Sequence, residues 1–221
     1  LWRDFRREEM NLYSAVAGAA PGDVHMHSQK PVRTVEDLQG LRMRITGAAA
    51  EVLTKLGGAP VTVPGGEVYT MLERGAIDAT EWSGPAENML TGLHEIAPYM
   101  VVPGIHQPSV AFEFVMDGAA FDELPDDLKI LVEAACKLTT LEAYQAWARE
   151  DMIAMTKLKD SNAEIIQLDQ AYLDAWREAG RQWTEEKGGD NAWVQRISES
   201  YYTFLNDWEG SMDYLHINAR P

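Results

Sequence analysis

Two positions in the first hundred residues put charge where a ligand is commonly met. Arg44 ends the run Leu41-Arg42-Met43-Arg44-Ile45, whose alternation of apolar and cationic side chains predicts a half-buried strand. Glu81-Trp82 ends a second strand-like run that starts at Ala76. A guanidinium offers a planar fork that matches a carboxylate. Glu81 offers oxygens that repel the same carboxylate, and a hard cation bridging protein oxygens and a carboxylate ligand resolves that conflict. Position alone leaves the matter open, because ordinary surface ion pairs account for Arg44 and Glu81 equally well.

Other chemistry-bearing residues are weaker. His25-Met26-His27 on a strand places both imidazoles on one face, a spacing that suits a transition metal. With no further His, Cys or acid at a recognisable interval, surface histidines are the simpler reading. His94, His106 and His216 stand alone. Val63-Pro64-Gly65-Gly66-Glu67 puts glycines at a strand-to-helix junction, where a helix N-terminus meets anions, but a tight turn explains it as well or better. The chain has no G-x-S-x-G elbow, no phosphate-cradling G-x-x-x-x-G-K-[ST], no G-x-G-x-x-G and no paired-Cys zinc spacing.

The elements around Arg44 and Glu81 decide whether the two can meet. Thr34-Val35-Glu36-Asp37 opens a short helix that Gly40 ends. After the strand at Leu41–Ile45, a helix over Ala48–Leu56 stops at Gly57-Gly58, Ala59–Val63 reads as a strand, Glu67–Arg74 as a helix closed by Gly75, and Ala76–Trp82 as a third strand. Short connections and right-handed crossovers make these three strands parallel neighbours. Ligands in such sheets bind beyond the carboxyl ends of the strands, so Arg44 and Glu81-Trp82 are expected to share one edge. Ile96–Val102 and Val110–Met116 add two more candidate strands around Pro103-Gly104-Ile105-His106-Gln107-Pro108.

After Phe121 the period becomes helical. Pro125-Asp126-Asp127 starts a helix in which Leu128, Leu131, Val132, Ala135 and Leu138 mark one stripe expected to be buried, and the pattern runs on to about Lys159, long enough to suggest a bent or bridging helix. Glu164–Leu168 reads as a short strand, Asp169 caps a helix to Lys187, and a last helix from Asn191 carries Trp193, Ile197, Tyr201, Leu205 and Trp208 on one face, a pattern that more often marks an intramolecular core.

Composition narrows the classes. The 221 residues carry a net charge of −16, 46% hydrophobic residues and one cysteine. That leaves no basic footprint for nucleic acid or an anionic membrane surface, and no internal disulfide. No run approaches a membrane span. Leu1–Glu9 has neither an apolar signal core nor a cleavage site, so the chain is expected to begin inside a longer protein.

The stretch Lys30–Arg44, with Pro64-Gly65-Gly66-Glu67-Val68-Tyr69, Leu72–Pro85, the Pro103–Pro108 loop and Phe121–Leu128, resembles the periplasmic substrate-binding proteins of tripartite ATP-independent (TRAP) transporters, and within them the branch that binds 2-oxo acids and lactate. The resemblance implies an α/β, two-lobed periplasmic-binding-protein-like fold (type II-like), with most of the first lobe and the signal peptide outside this sequence. Residues 1–20 would be a remnant of the first lobe and 21–109 the second lobe's sheet. Residues 110–150 would return to the first lobe with a bridging helix, and 151–221 would complete the second lobe with C-terminal helices.

By the same resemblance, Arg44 pairs with the ligand carboxylate. The Glu81 side chain and the Trp82 carbonyl, with Gln107, bind a metal ion, Ca²⁺ or Na⁺, that touches the ligand. The branch's metal-binding glutamine precedes K-P-[IV]; here that place falls near His25, and only with a gap. The implied function is non-catalytic: a periplasmic protein that captures a small organic acid, closes around it and delivers it to TRAP membrane subunits, with a homodimer through the C-terminal helix. Two other readings stand beside it: a metal-dependent α/β enzyme using Glu81, and a module that dimerises through its aromatic last helix.

Overall fold

The computed structural model describes residues 1–215, with side chains to Ser211; His216 lies outside the described residues. Helix α1 (Trp2–Met10) ends at Asn11 in the left-handed conformation and leads into strand β1 (Leu12–Ala20), then β2 (Met26–Ser28). The predicted Thr34 start becomes a 3₁₀ turn in which the Thr34 N–H donates to Asp37 Oδ2 at 3.0 Å. There follow β3 (Arg42–Arg44), α2 (Gly47–Lys55), β4 (Ala59–Val61), α3 (Val68–Glu73), β5 (Ala79–Thr80), α4 (Pro85–Leu90), α5 (Leu93–Ile96), β6 (Tyr99–Val102) and β7 (Val110–Asp117). The chain ends with α6 (Gly118–Asp122), the 34-residue α7 (Asp126–Lys159), β8 (Glu164–Gln167), α8 (Gln170–Gly188) and α9 (Ala192–Leu215). As its position predicts, Asp169 caps α8, its carboxylate accepting the Tyr172 N–H at 2.9 Å.

The class is α/β, as expected. Six strands form one mixed sheet in the order β4-β3-β5-β2-β6-β8. β3 is parallel to both β4 and β5, so the three predicted strands are parallel neighbours; β2 runs against β5 and β6. Two strands lose three or more residues of their sequence patterns. The third keeps only Ala79–Thr80, because after Gly75 the N–H groups of Ala76 and Ile77 turn back to the Met71 carbonyl. The fourth starts at Tyr99, since Leu93–Ile96 is helical and Pro98 lies between.

Helices cover both faces of this sheet. Met26, Met43, Ile45, Leu53, Tyr172 and Trp176 form one core; Val68, Leu72, Ile77 and Leu93 form another. At the edge opposite the carboxyl ends, Asp78 takes the Arg42 Nε–H at 2.9 Å and the Lys30 ammonium at 3.1 Å, and the Arg42 hydrogen bonds hold its carboxyl well below the usual carboxylate range.

β1 and β7 form a separate two-stranded antiparallel sheet, Leu12 opposite Asp117 and Ala20 opposite Val110, with an irregularity between Val16 and Gly18. Here two expectations fail. The stripe on α7 is not buried: Leu128, Leu131 and Leu138 are exposed, and in that half of the helix only Cys136 is fully covered. The reason is width, because two strands are all that the described residues lay beneath the helix. Nor is the aromatic face of α9 a core along its length. Trp193 packs on Phe5 and donates to Glu9 at 2.7 Å, but Tyr201 and Trp208 are exposed.

Candidate ligand-binding site

Because β2 runs against its neighbours, its beginning lies beside the ends of β3, β5 and β6. Backbone hydrogen bonds continue this register past the strands. The Glu81 N–H donates to the Arg44 carbonyl (3.0 Å), Val24 to Ser83 (3.1 Å), His25 to Val101 (2.9 Å) and Asp23 to Gln107 (3.0 Å). Arg44, Glu81, Trp82, Asp23 and Gln107 are thereby gathered at one sheet edge.

Arg44 donates from Nη1 to Glu81 Oε1 at 2.5 Å and to the Glu81 carbonyl at 3.2 Å, and its guanidinium carbon lies 5.6 Å from the Trp82 ring centroid. The two side chains are 14% and 11% exposed, so this is not a surface ion pair. Arg44 Nε is buried without a hydrogen-bond partner. Part of the fork is therefore held by Glu81 while Nε remains unmet, an arrangement that a planar anion can complete. Burial raises the Glu81 carboxyl above its ordinary range, and Arg44 opposes that shift. Trp82 is fixed from the other side by the glycine turn, where a Cβ on Gly65 would stand 2.8 Å from the indole. Gly65–Glu67 is a 3₁₀ turn packed on Trp82, the tight-turn reading of that motif, and it borders a cavity of about 330 Å³.

The histidines correct the sequence reading. His25 and His27 are buried, not superficial, and they do not act as a pair. The two ring nitrogens of His25 face His106 Nδ1 (3.3 Å) and the Tyr172 hydroxyl (2.9 Å), with the Trp176 ring edge-on. His27 donates from Nδ1 to the Ala97 carbonyl at 3.2 Å. Burial holds His25 well below its usual pKa and brings His27 and His106 down to about 4. His106 therefore has a partner, although one from 81 positions away, beyond any sequence motif. Among the described residues no three His, Cys, Asp or Glu side chains converge to hold a metal.

Two acids were not singled out by the sequence. Asp23 is buried, and its pKa is pushed up to about 7 by that burial and then by the charges of Glu81, Asp151 and Glu87. Asp151 on α7 accepts the Ala86 N–H of α4 at 2.9 Å, against Gly84. In the sequence, Asp151 stands in the charged run Arg149-Glu150-Asp151, which reads as a solvated helix face. Asp23 lies between a glycine and a strand, where a turn carboxylate is unremarked.

A family model of bacterial extracellular solute-binding proteins, family 7 (DctP), matches residues 7–188. The chain belongs to that family. This family 7 protein is 29% identical over 197 residues to a monocarboxylate 2-oxoacid-binding periplasmic protein of Nostoc sp., a match covering 88% of the chain and 53% of the relative. It spans, then, about half the length of that relative. A TRAP periplasmic solute-binding protein of Pseudoalteromonas atlantica, solved with bound sodium and pyruvate, superposes with a TM-score of 0.85 at 31% identity, over 95% of this chain and 64% of that one. One from Bordetella bronchiseptica, a mixed-occupancy dimer with calcium and picolinate, gives 0.89 at 28%, over 97% and 63%. Among the described residues no helix is long and apolar enough to cross a membrane.

Proposed function

We propose that this family 7 protein works in the periplasm as a binding protein, capturing a small organic acid (a 2-oxo acid, lactate or a similar carboxylate) and delivering it unchanged to the membrane subunits of a TRAP transporter. The observation that carries this reading is the buried Arg44, held by Glu81 and walled by Trp82, with Nε left without a partner. A carboxylate at this edge gains a charge-assisted hydrogen bond in a water-poor setting, where the charge of a buried ligand has to be met. The relatives that bind 2-oxoacids, pyruvate and picolinate support the same class of ligand.

The donor set fits a hard cation, Ca²⁺ or Na⁺. Glu81 supplies a buried carboxylate, the Trp82 carbonyl follows it in the chain, and the main chain of Gln107 is tied to Asp23 at the same edge, its side chain making no hydrogen bond among the described residues. A cation there supplies the positive charge that lets Glu81 and the ligand carboxylate coexist. His25 is excluded from this set in our reading because both its nitrogens already face partners.

In the same reading, residues 1–20 and 110–150 belong to a first lobe, and its remainder covers the apolar face left open on β7 and α7. Residues 21–109 and 151–221 form the second lobe. A second copy docks on the aromatic face of α9, and a monomeric mass by light scattering of the full-length protein would remove that part.

The test is calorimetry of the full-length protein with pyruvate. Arg44→Ala is expected to weaken binding roughly 100-fold or more, as truncating one member of a buried charge pair does. Unchanged affinity would sink the assignment. Proton spectra of the mixture should show the acid intact; product would favour the metal-dependent enzyme instead.

A further inference from the structure

Glu81, Trp82 and Gln107 are the cation's proposed oxygen donors, and Asp23 beside them has no role yet. Asp23 is 7% exposed, and among the described residues its carboxylate makes no hydrogen bond and no ion pair. Its main chain is pinned on both sides. The Asp23 N–H is held by the Gln107 carbonyl at 3.0 Å, and its own carbonyl lies against Gly104, where a Cβ would stand 2.2 Å away. The Val24–Ser83 hydrogen bond keeps Asp23 beside the segment that follows Glu81-Trp82. The charges acting on it are Glu81 first, then Asp151 and Glu87, all of its own sign. The strand-end cation Arg44 is committed to Glu81. A largely buried carboxylate among like charges is unfavourable as an anion, and a cation beside it relieves that cost. At the same edge Arg44 Nε is buried and unmet, a second sign that something outside the chain completes this place.

We propose that Asp23 is a ligand of the cation at this edge, and that its charge makes the site prefer a divalent cation to a monovalent one. The inference rests on the binding function proposed above and specifies its cation. Asp23, Glu81 and the carboxylate of the bound acid set three negative charges against the single guanidinium of Arg44. A divalent ion balances that excess and a monovalent ion leaves it half met. The donors are all oxygens, two of them ionised, which suits Ca²⁺.

The experiment is calorimetric titration of chelator-stripped full-length protein with CaCl₂ and with NaCl, first alone and then with pyruvate present. The native protein should bind Ca²⁺ at least tenfold more tightly than Na⁺. Asp23→Asn should lose roughly tenfold or more in Ca²⁺ affinity while Na⁺ affinity changes less, so that the preference collapses. Asp23→Glu should keep the preference, and Asp151→Asn, a nearby buried acid given no such role, should leave Ca²⁺ affinity within a few-fold. If Asp23→Asn fails to fold, the Asp23→Glu and Asp151→Asn comparison decides: Ca²⁺ affinity that falls equally in both overturns the proposal. Native protein that binds the two ions alike, or Asp23→Asn that binds Ca²⁺ as the native protein does, overturns it too. Calcium binding that depends on Asp23 without any acid binding would instead break the proposed function and leave this assignment standing. Pyruvate binding that Asp23→Asn leaves with its native Ca²⁺ dependence would do the reverse.

Discussion

The six-stranded sheet and the pair β1–β7 under α7 are built from similar residues and end in opposite states. In the sheet and the helices packed on it, Met26, Met43, Leu53 and Leu72 are all at 0% exposure. On β7 and α7, Phe112 is 43% exposed, Leu131 60% and Ile130 68%. The difference lies in coverage, since the first region has helices of its own on both faces and the second has one long helix over two strands. The ligand edge belongs to the covered region, where fixed neighbours hold charged groups away from water. At the joint between the two, α7 reaches the covered region where Asp151 meets the start of α4 against Gly84, and beyond it Leu158 packs with Val24 and Met100.

The contrast can be broken first by truncation. In the 221-residue chain Leu53→Ala should cost about 2–5 kcal/mol in urea unfolding, the range for a buried leucine that leaves a cavity, whereas Leu131→Ala should stay within about 0.5 kcal/mol. Equal costs would mean that the α7 face is covered after all.

Next comes acid. His27, buried in the covered region, has its folded pKa brought down to about 4 from 6.5. The folded state therefore binds fewer protons than the unfolded state between those values, so this contribution is present above about pH 6.5 and is lost as pH falls toward 4. A shift of that size is worth on the order of 3 kcal/mol. His27→Asn, which keeps a donor for the Ala97 carbonyl, should flatten the fall in Tm over that window by its share. An unchanged slope would show that His27 is not buried as a neutral ring.

The joint should give the smallest of the three effects. A methyl at Gly84 would stand 2.9 Å from both carboxylate oxygens of Asp151, so Gly84→Ala should push α7 off α4 at about 1–3 kcal/mol. Equilibrium unfolding of Gly84→Ala and of Gly84→Ala with Asp151→Ala would show whether removing the carboxylate relieves the clash; a double variant no better than the single one would refute the contact.

Much of the site was legible. The apolar and cationic alternation at Leu41–Ile45 and the glycine-punctuated strands after it predict that Arg44 and Glu81 share an edge, and they do, because short parallel connections leave little choice of geometry. Two patterns misled for one reason. The α7 stripe and the aromatic face of α9 are genuine amphipathic periods, but a period says which face is apolar and not what covers it. The histidines failed in the other direction: polar residues next to a strand read as surface, while the partners that bury His25 come from residues 106, 172 and 176.

What the sequence by itself determined is what depends on neighbours a few residues apart: the strands, the helix starts at Pro125 and Asp169, the acidic balance, and the placing of Arg44 and Glu81 at strand ends. Only the tertiary structure decided which charges are buried together. Asp23, Glu81 and Asp151 are far apart in the chain, and it is the antiparallel insertion of β2 between β5 and β6 that brings the first beside the second. Desolvation acts on groups gathered in space, so chemistry that arises from burying like charges together cannot be read from any one segment.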